Sequence, residues 1–217
     1  MRRLLCVSSM LVLAACTGQL FQSKSAAPSV YLLSVQAAAA GPAARPQIPA
    51  DLTVLIPRVR TGLDTDLIAV LYPDRRLAYV AGARWSGPLD EVVQDLALQA
   101  FRAHANLRNV HADVSSFGGS YWLEIEVADF QAEYPAGPQA SGGIDSGAPT
   151  IHVHLLGVLG GSGDRRVLGH FEADERRPAA ENRLGAIVEA YDQAVDAALA
   201  HLVVETSAAL SGDLARQ

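Results

Sequence analysis

The chain has little cysteine, little lysine, few aromatic residues and a deficit of positive charge. Cys6 and Cys16 are its only cysteines in 217 residues, which excludes a four-cysteine zinc site. Lys24 is the single lysine, acidic residues number 23, and the net charge is −6. Nucleic-acid binding draws its affinity from Lys and Arg neutralising phosphates, so this balance argues against that class. It argues equally against an electrostatic hold on anionic lipid. The apolar run at the N-terminus, Leu4 to Ala14, falls short of the about 20 residues that span a bilayer.

That short run nevertheless organises the reading of the chain. Arg2 and Arg3 precede it and Leu13-Ala14-Ala15-Cys16 closes it, the layout of a secretory signal. The closing four residues form a lipobox, the motif after which a signal peptidase cuts before an acylated cysteine. Residues 1–15 are therefore expected to be a lipoprotein signal peptide and Cys16 the lipidation site. An ordinary secretory signal cut near Ala15 is the alternative, and it would leave Cys16 a free thiol. With the signal removed, Arg2 and Arg3 are lost, leaving 15 basic against 23 acidic residues and a net charge of −8. Cys16 is then the only cysteine of the mature chain, and an acylated thiol needs no disulfide partner.

Residues 16–29 read as the lipidated cysteine and a tether, since Thr17 to Ser29 is small and polar with no sustained period. Fully extended, that tether reaches roughly 45 Å. Residues 30–210 are long and apolar enough for one α/β domain. Strands are expected over Val30–Val35, Asp51–Arg60 with a bend at Pro57, Leu63–Leu71, Leu77–Trp85, Val110–Val114 and Ser120–Tyr134. A hairpin is expected from Ile151–Leu159 and Arg166–Ala173 around Gly160 to Asp164. Gly87-Pro88-Leu89-Asp90-Glu91 places proline at a helix start and carboxylates in the first turn. The apolar spacing then predicts a helix to about His104. A second long helix follows Pro178, and residues 211–217 are expected to fray. Strands, helix, strands, helix is an α/β order: a mixed β-sheet sandwich with two long amphipathic helices packed mainly on one face.

The chemistry-bearing residues are sparse. Gly160 to Asp164 has the glycines of a phosphate loop but neither its lysine nor its strand-to-helix setting. His152 and His154 alternate along a strand and share one face, yet no spacing singles out a third and fourth metal ligand. They read as two half-exposed histidines, and no metal is expected. Glu124 and Glu126 share a face in the same way. A catalytic carboxylate pair needs unlike environments, so these two read as solvated. No GxSxG elbow occurs, no cofactor motif is present, and the chain is not expected to be an enzyme. Among Trp85, Trp122, Tyr79 and Tyr121, core roles are favoured for most. Trp122 and Trp85 are the candidates for a partner surface. Trp122 leads because it lies on the face opposite Leu123 and Ile125.

Taken together, several stretches resemble the ABC-type transport auxiliary lipoproteins, the family that includes the small lipoprotein of the paraquat-inducible pathway. They are the lipobox Leu13 to Cys16, the opening Tyr31-Leu32-Leu33, the segment Tyr79 to Leu89, the segment Tyr121 to Phe130 and the closing amphipathic helix. Members often carry an arginine just before the isoleucine that here is Ile68, where this chain has Asp64-Thr65-Asp66-Leu67. The resemblance implies a non-catalytic docking subunit that accompanies an ABC permease and ATPase. It also implies a periplasmic MCE (mammalian cell entry) protein as partner, with phospholipid or another hydrophobic molecule as cargo. Thr17 in place of the aspartate that retains lipoproteins in the inner membrane implies delivery to the outer membrane of a Gram-negative bacterium. There the domain would face the periplasm, held by acyl chains on Cys16, with no nucleic-acid partner, and a homo-oligomer is compatible with that role. A lipoprotein activator or scaffold of cell-wall synthesis shares the same layout of anchor, tether and small α/β domain.

Overall fold

The computed structural model describes residues 27–36, 47–113, 119–136, 147–163 and 166–217. The expected signal peptide, Cys16 and most of the expected tether lie outside the described residues. The chain enters the sheet through β1 (Ser29–Tyr31), then β2 (Ile48–Val54), β3 (Arg58–Val59), β4 (Leu67–Leu71) and β5 (Leu77–Trp85). Helix α1 (Leu89–His104) leads to β6 (Leu107–Ala112), β7 (Tyr121–Glu133), β8 (Thr150–Gly161) and β9 (Val167–Pro178). Helix α2 (Leu184–Leu214) closes the chain.

Strand β7 is the spine of a mixed nine-stranded sheet. Along one edge it pairs in parallel with β2, β3 and β4 in succession, and along the other it pairs antiparallel with β8. The bend expected at Pro57 is the break between β2 and β3. Strand β9 completes the β8 hairpin, β5 and β1 extend the sheet beyond β4, and β6 extends it beyond β2.

Two alternations build the inner layer. Tyr121, Leu123, Ile125 and Val127 of β7 and Ile151, Val153, Leu155 and Leu159 of β8 are buried, as period-two side chains on one face must be. Both helices lay their apolar stripes on this layer, in one continuous core. Gly157 shows how closely α2 approaches, because a Cβ there would stand 3.3 Å from a methyl of Leu202. By length and composition α2 could cross a membrane. One face of it, from Ala186 to Leu210, is instead buried in the core, while Val204 on the other face is exposed. The aromatic centre of that core is Trp85, Phe130 and Tyr191, with the Trp85 and Phe130 rings 5.0 and 5.2 Å from Tyr191. The Tyr191 hydroxyl donates to the carbonyl of Ala69, and burial pushes the phenol pKa upward.

Three expectations change. Trp85 is only 2 % exposed, because β5 turns it toward α2, so it cannot present a partner surface. Pro88 caps α1 from outside, with the helix beginning at Leu89. The C-terminus does not fray from residue 211: α2 continues to Leu214, and Asp213 is 2 % exposed. Asp213 accepts hydrogen bonds from the Tyr121 hydroxyl, Arg166 and Gln217, which tie the last turn to β7 and β9's approach.

Candidate functional site

The face of β7, β8 and β9 opposite the helices carries the chemistry. On β7 it begins with Trp122, Glu124 and Glu126, the residues that alternate with the buried set. Trp122 is half-buried because its ring lies over Gly160, where a Cβ would fall 2.2 Å from a ring carbon. Only glycine fits that approach. Thr53, Leu55, Gly119, Glu124 and Ser162 join Trp122 around an open hollow of about 520 Å³. Glu124 and Glu126 are not simply solvated: Arg58 of β3 reaches both, at 2.8 and 3.6 Å. Leu156 and Val158 lie beside them on β8.

Beyond Val127 the face is re-aimed by a β-bulge. The register passes from Val127 opposite Leu155 to Asp129 opposite His154, leaving Ala128 as the extra residue. An added residue reverses the parity of every side chain after it. Phe130 and Ala132 therefore turn into the core, while Asp129, Gln131 and Glu133 turn outward beside the two histidines.

His152 and His154 do share this face, with rings stacked 10° from parallel and centroids 6.2 Å apart. They are less exposed than expected, and His152 is buried at 6 %. The His152 nitrogens face Glu133 at 2.9 Å and Asp174 at 2.8 Å. His154 faces Glu172 at 2.9 Å and, through its other nitrogen, Asp129 at 3.6 Å. Arg60 binds Asp129, and Arg176 binds Glu133 while lying against the His152 ring. Burial by itself would raise the Glu133 carboxyl, but hydrogen bonds from Arg176, His152 and Gln131 hold it below the ordinary carboxylate range. Sequence reading missed Asp129, Glu133, Glu172, Asp174, Arg60 and Arg176. The only local signal was the loss of alternation at Ala128-Asp129. Tyr79 and Tyr121 are accounted for by structural bonds, to the carbonyl of Gly62 and to Asp213.

A family model described as the ABC-type transport auxiliary lipoprotein component matches residues 31–203. The chain belongs to that family. As an auxiliary lipoprotein it is a component associated with ABC-type transport. Its fold is shared with solved structures at low identity. Protein XCC0632 from Xanthomonas campestris is 24 % identical with a TM-score of 0.72, over 85 % of this chain and 98 % of that one. The hypothetical protein CT253 from Chlamydia trachomatis is 7 % identical with a TM-score of 0.51, over 76 % of this chain and 99 % of that one. No curated protein matches the chain significantly.

Proposed function

We propose that this auxiliary lipoprotein is a non-catalytic docking subunit of an MCE-type ABC transport system. It would stand on the periplasmic face of the outer membrane, anchored by acyl chains on Cys16, while the system moves phospholipid or another hydrophobic molecule across the envelope. The family match over residues 31–203 carries this reading. Two features support it. The lipobox supplies an anchor whose acyl chains contribute about 0.8 kcal/mol per buried methylene. The outer sheet face offers Trp122, an aromatic anchor of the kind that dominates interfaces, beside an open hollow.

The test is recovery of partners from membranes. Affinity purification of the lipidated protein should bring down an MCE-domain protein with its permease and ATPase, and Trp122→Ala should reduce that recovery at least tenfold. Cys16→Ser should move a folded domain into the soluble fraction. Co-purification with a peptidoglycan synthase and no transporter would instead select the cell-wall reading, and retention of Cys16→Ser in membranes would remove the anchor.

A further inference from the structure

The two histidines and the bulge residue meet where carboxylates outnumber guanidinium groups. Potential ligand atoms of Asp129, His152 and His154 all lie within 4.8 Å of one another. Four carboxylates, Asp129, Glu133, Glu172 and Asp174, surround the two imidazoles, and Arg60 and Arg176 are the guanidinium partners. The four carboxylates outnumber these two guanidinium groups. His152 has a carboxylate oxygen within hydrogen-bond distance of both nitrogens, and the Arg176 guanidinium lies against both as well. A divalent cation would offset the excess of carboxylates.

The geometry suits one. Two ligands on a tetrahedral zinc ion, at about 2.0–2.1 Å each, stand roughly 3.3–3.5 Å apart. The Asp129 Oδ2 to His154 Nδ1 separation is 3.6 Å, too long for a hydrogen bond between them. The opposite nitrogen of His154 meets Glu172 at 2.9 Å, the carboxylate-to-imidazole contact that orients metal-bound histidines. His152, nine-tenths buried, is held in place by Glu133 or Asp174 through whichever nitrogen does not face the ion. Two imidazoles and a carboxylate match the preference of Zn²⁺ among common divalent ions.

We propose that Asp129, His152 and His154 form a divalent transition-metal site, with Glu172 positioning His154. The site lies at the bulge end of the sheet face, away from Trp122, and is independent of the docking role. Titration of ZnCl₂ into the detergent-solubilised mature lipoprotein at neutral pH should give saturable binding of one equivalent. Co²⁺ in its place should give a visible absorption band. His154→Ala and Asp129→Asn should each weaken binding at least tenfold, and Glu172→Gln should weaken it about 10- to 100-fold. His170→Ala, on the same strand as Glu172, should leave it unchanged. Circular dichroism of each variant reports the fold, and the conservative Glu172→Gln change keeps the test valid if His154→Ala unfolds. Absence of saturable Zn²⁺ binding, or binding that survives both ligand substitutions in folded protein, would overturn the site.

Discussion

The two faces of the β7–β8 sheet are made from the same strands and differ in every other respect. The inner face is continuous Leu, Ile and Val under two helices, with Trp85, Phe130 and Tyr191 in edge and stacked contact at its centre. The outer face runs from Trp122 through the Arg58-bridged Glu124 and Glu126 to the histidine cluster. An aromatic residue therefore means opposite things on the two sides. Trp85 fills space between a strand and a helix, whereas Trp122 covers a glycine and keeps part of its ring in solvent.

Paired truncations measure that contrast most directly. Trp85→Ala should destabilise the domain by about 3–5 kcal/mol, the range for removing a large buried aromatic. Trp122→Ala should cost about 1 kcal/mol, since only one side of its ring is packed. Urea unfolding of the two variants gives the comparison, and equal losses would erase the distinction between a packing face and a contact face.

A smaller effect is expected where the C-terminus locks onto the sheet. Asp213→Ala leaves the buried Tyr121 hydroxyl without its acceptor, and a stranded buried donor is costlier than a hydrogen bond lost at the surface. Thermal melting should fall less than for Trp85→Ala, with limited proteolysis clipping the end of α2 first. An unchanged cleavage pattern would mean that apolar contacts of Leu210 hold that helix unaided.

The smallest effect is at the Asp51–Arg108 pair, where β2 meets the edge strand β6. The Arg108 guanidinium beside Asp51, helped by Asn109, lowers the carboxyl from the ordinary 3.8 to about 2. A depressed carboxylate pKa adds stability that is fully present above the unfolded value and lost as pH falls through the folded value. The wild-type advantage over Asp51→Asn should thus hold above 3.8 and vanish toward about 2. Urea midpoints taken at stepped acid pH check this, and a gap that persists at the lowest pH contradicts the assignment.

How much of this was legible beforehand depends on the range of the physical cause. The α1 stripe and the alternation from Tyr121 to Val127 are local periodicities, and β5, α1 and β7 lie close to where those patterns place them. The match of Tyr31, the Tyr79 to Leu89 segment and the Tyr121 to Phe130 segment to one family was equally readable, and the family model spans them. The histidine cluster was not. His152 and His154 lie on β8, but their carboxylates come from β7 and β9, and Asp129 reaches them only because Ala128 is extruded from the ladder.

The sequence by itself determined the periodicities behind β5, α1 and β7, the acidic charge, the short apolar run that ends in Cys16 and the family, because each is written in neighbouring residues. The tertiary structure alone decided which tryptophan is buried, how the last turn of α2 is fastened and what surrounds the histidines. Those outcomes depend on pairing between strands distant in the chain, where one inserted residue changes the direction of every side chain that follows it.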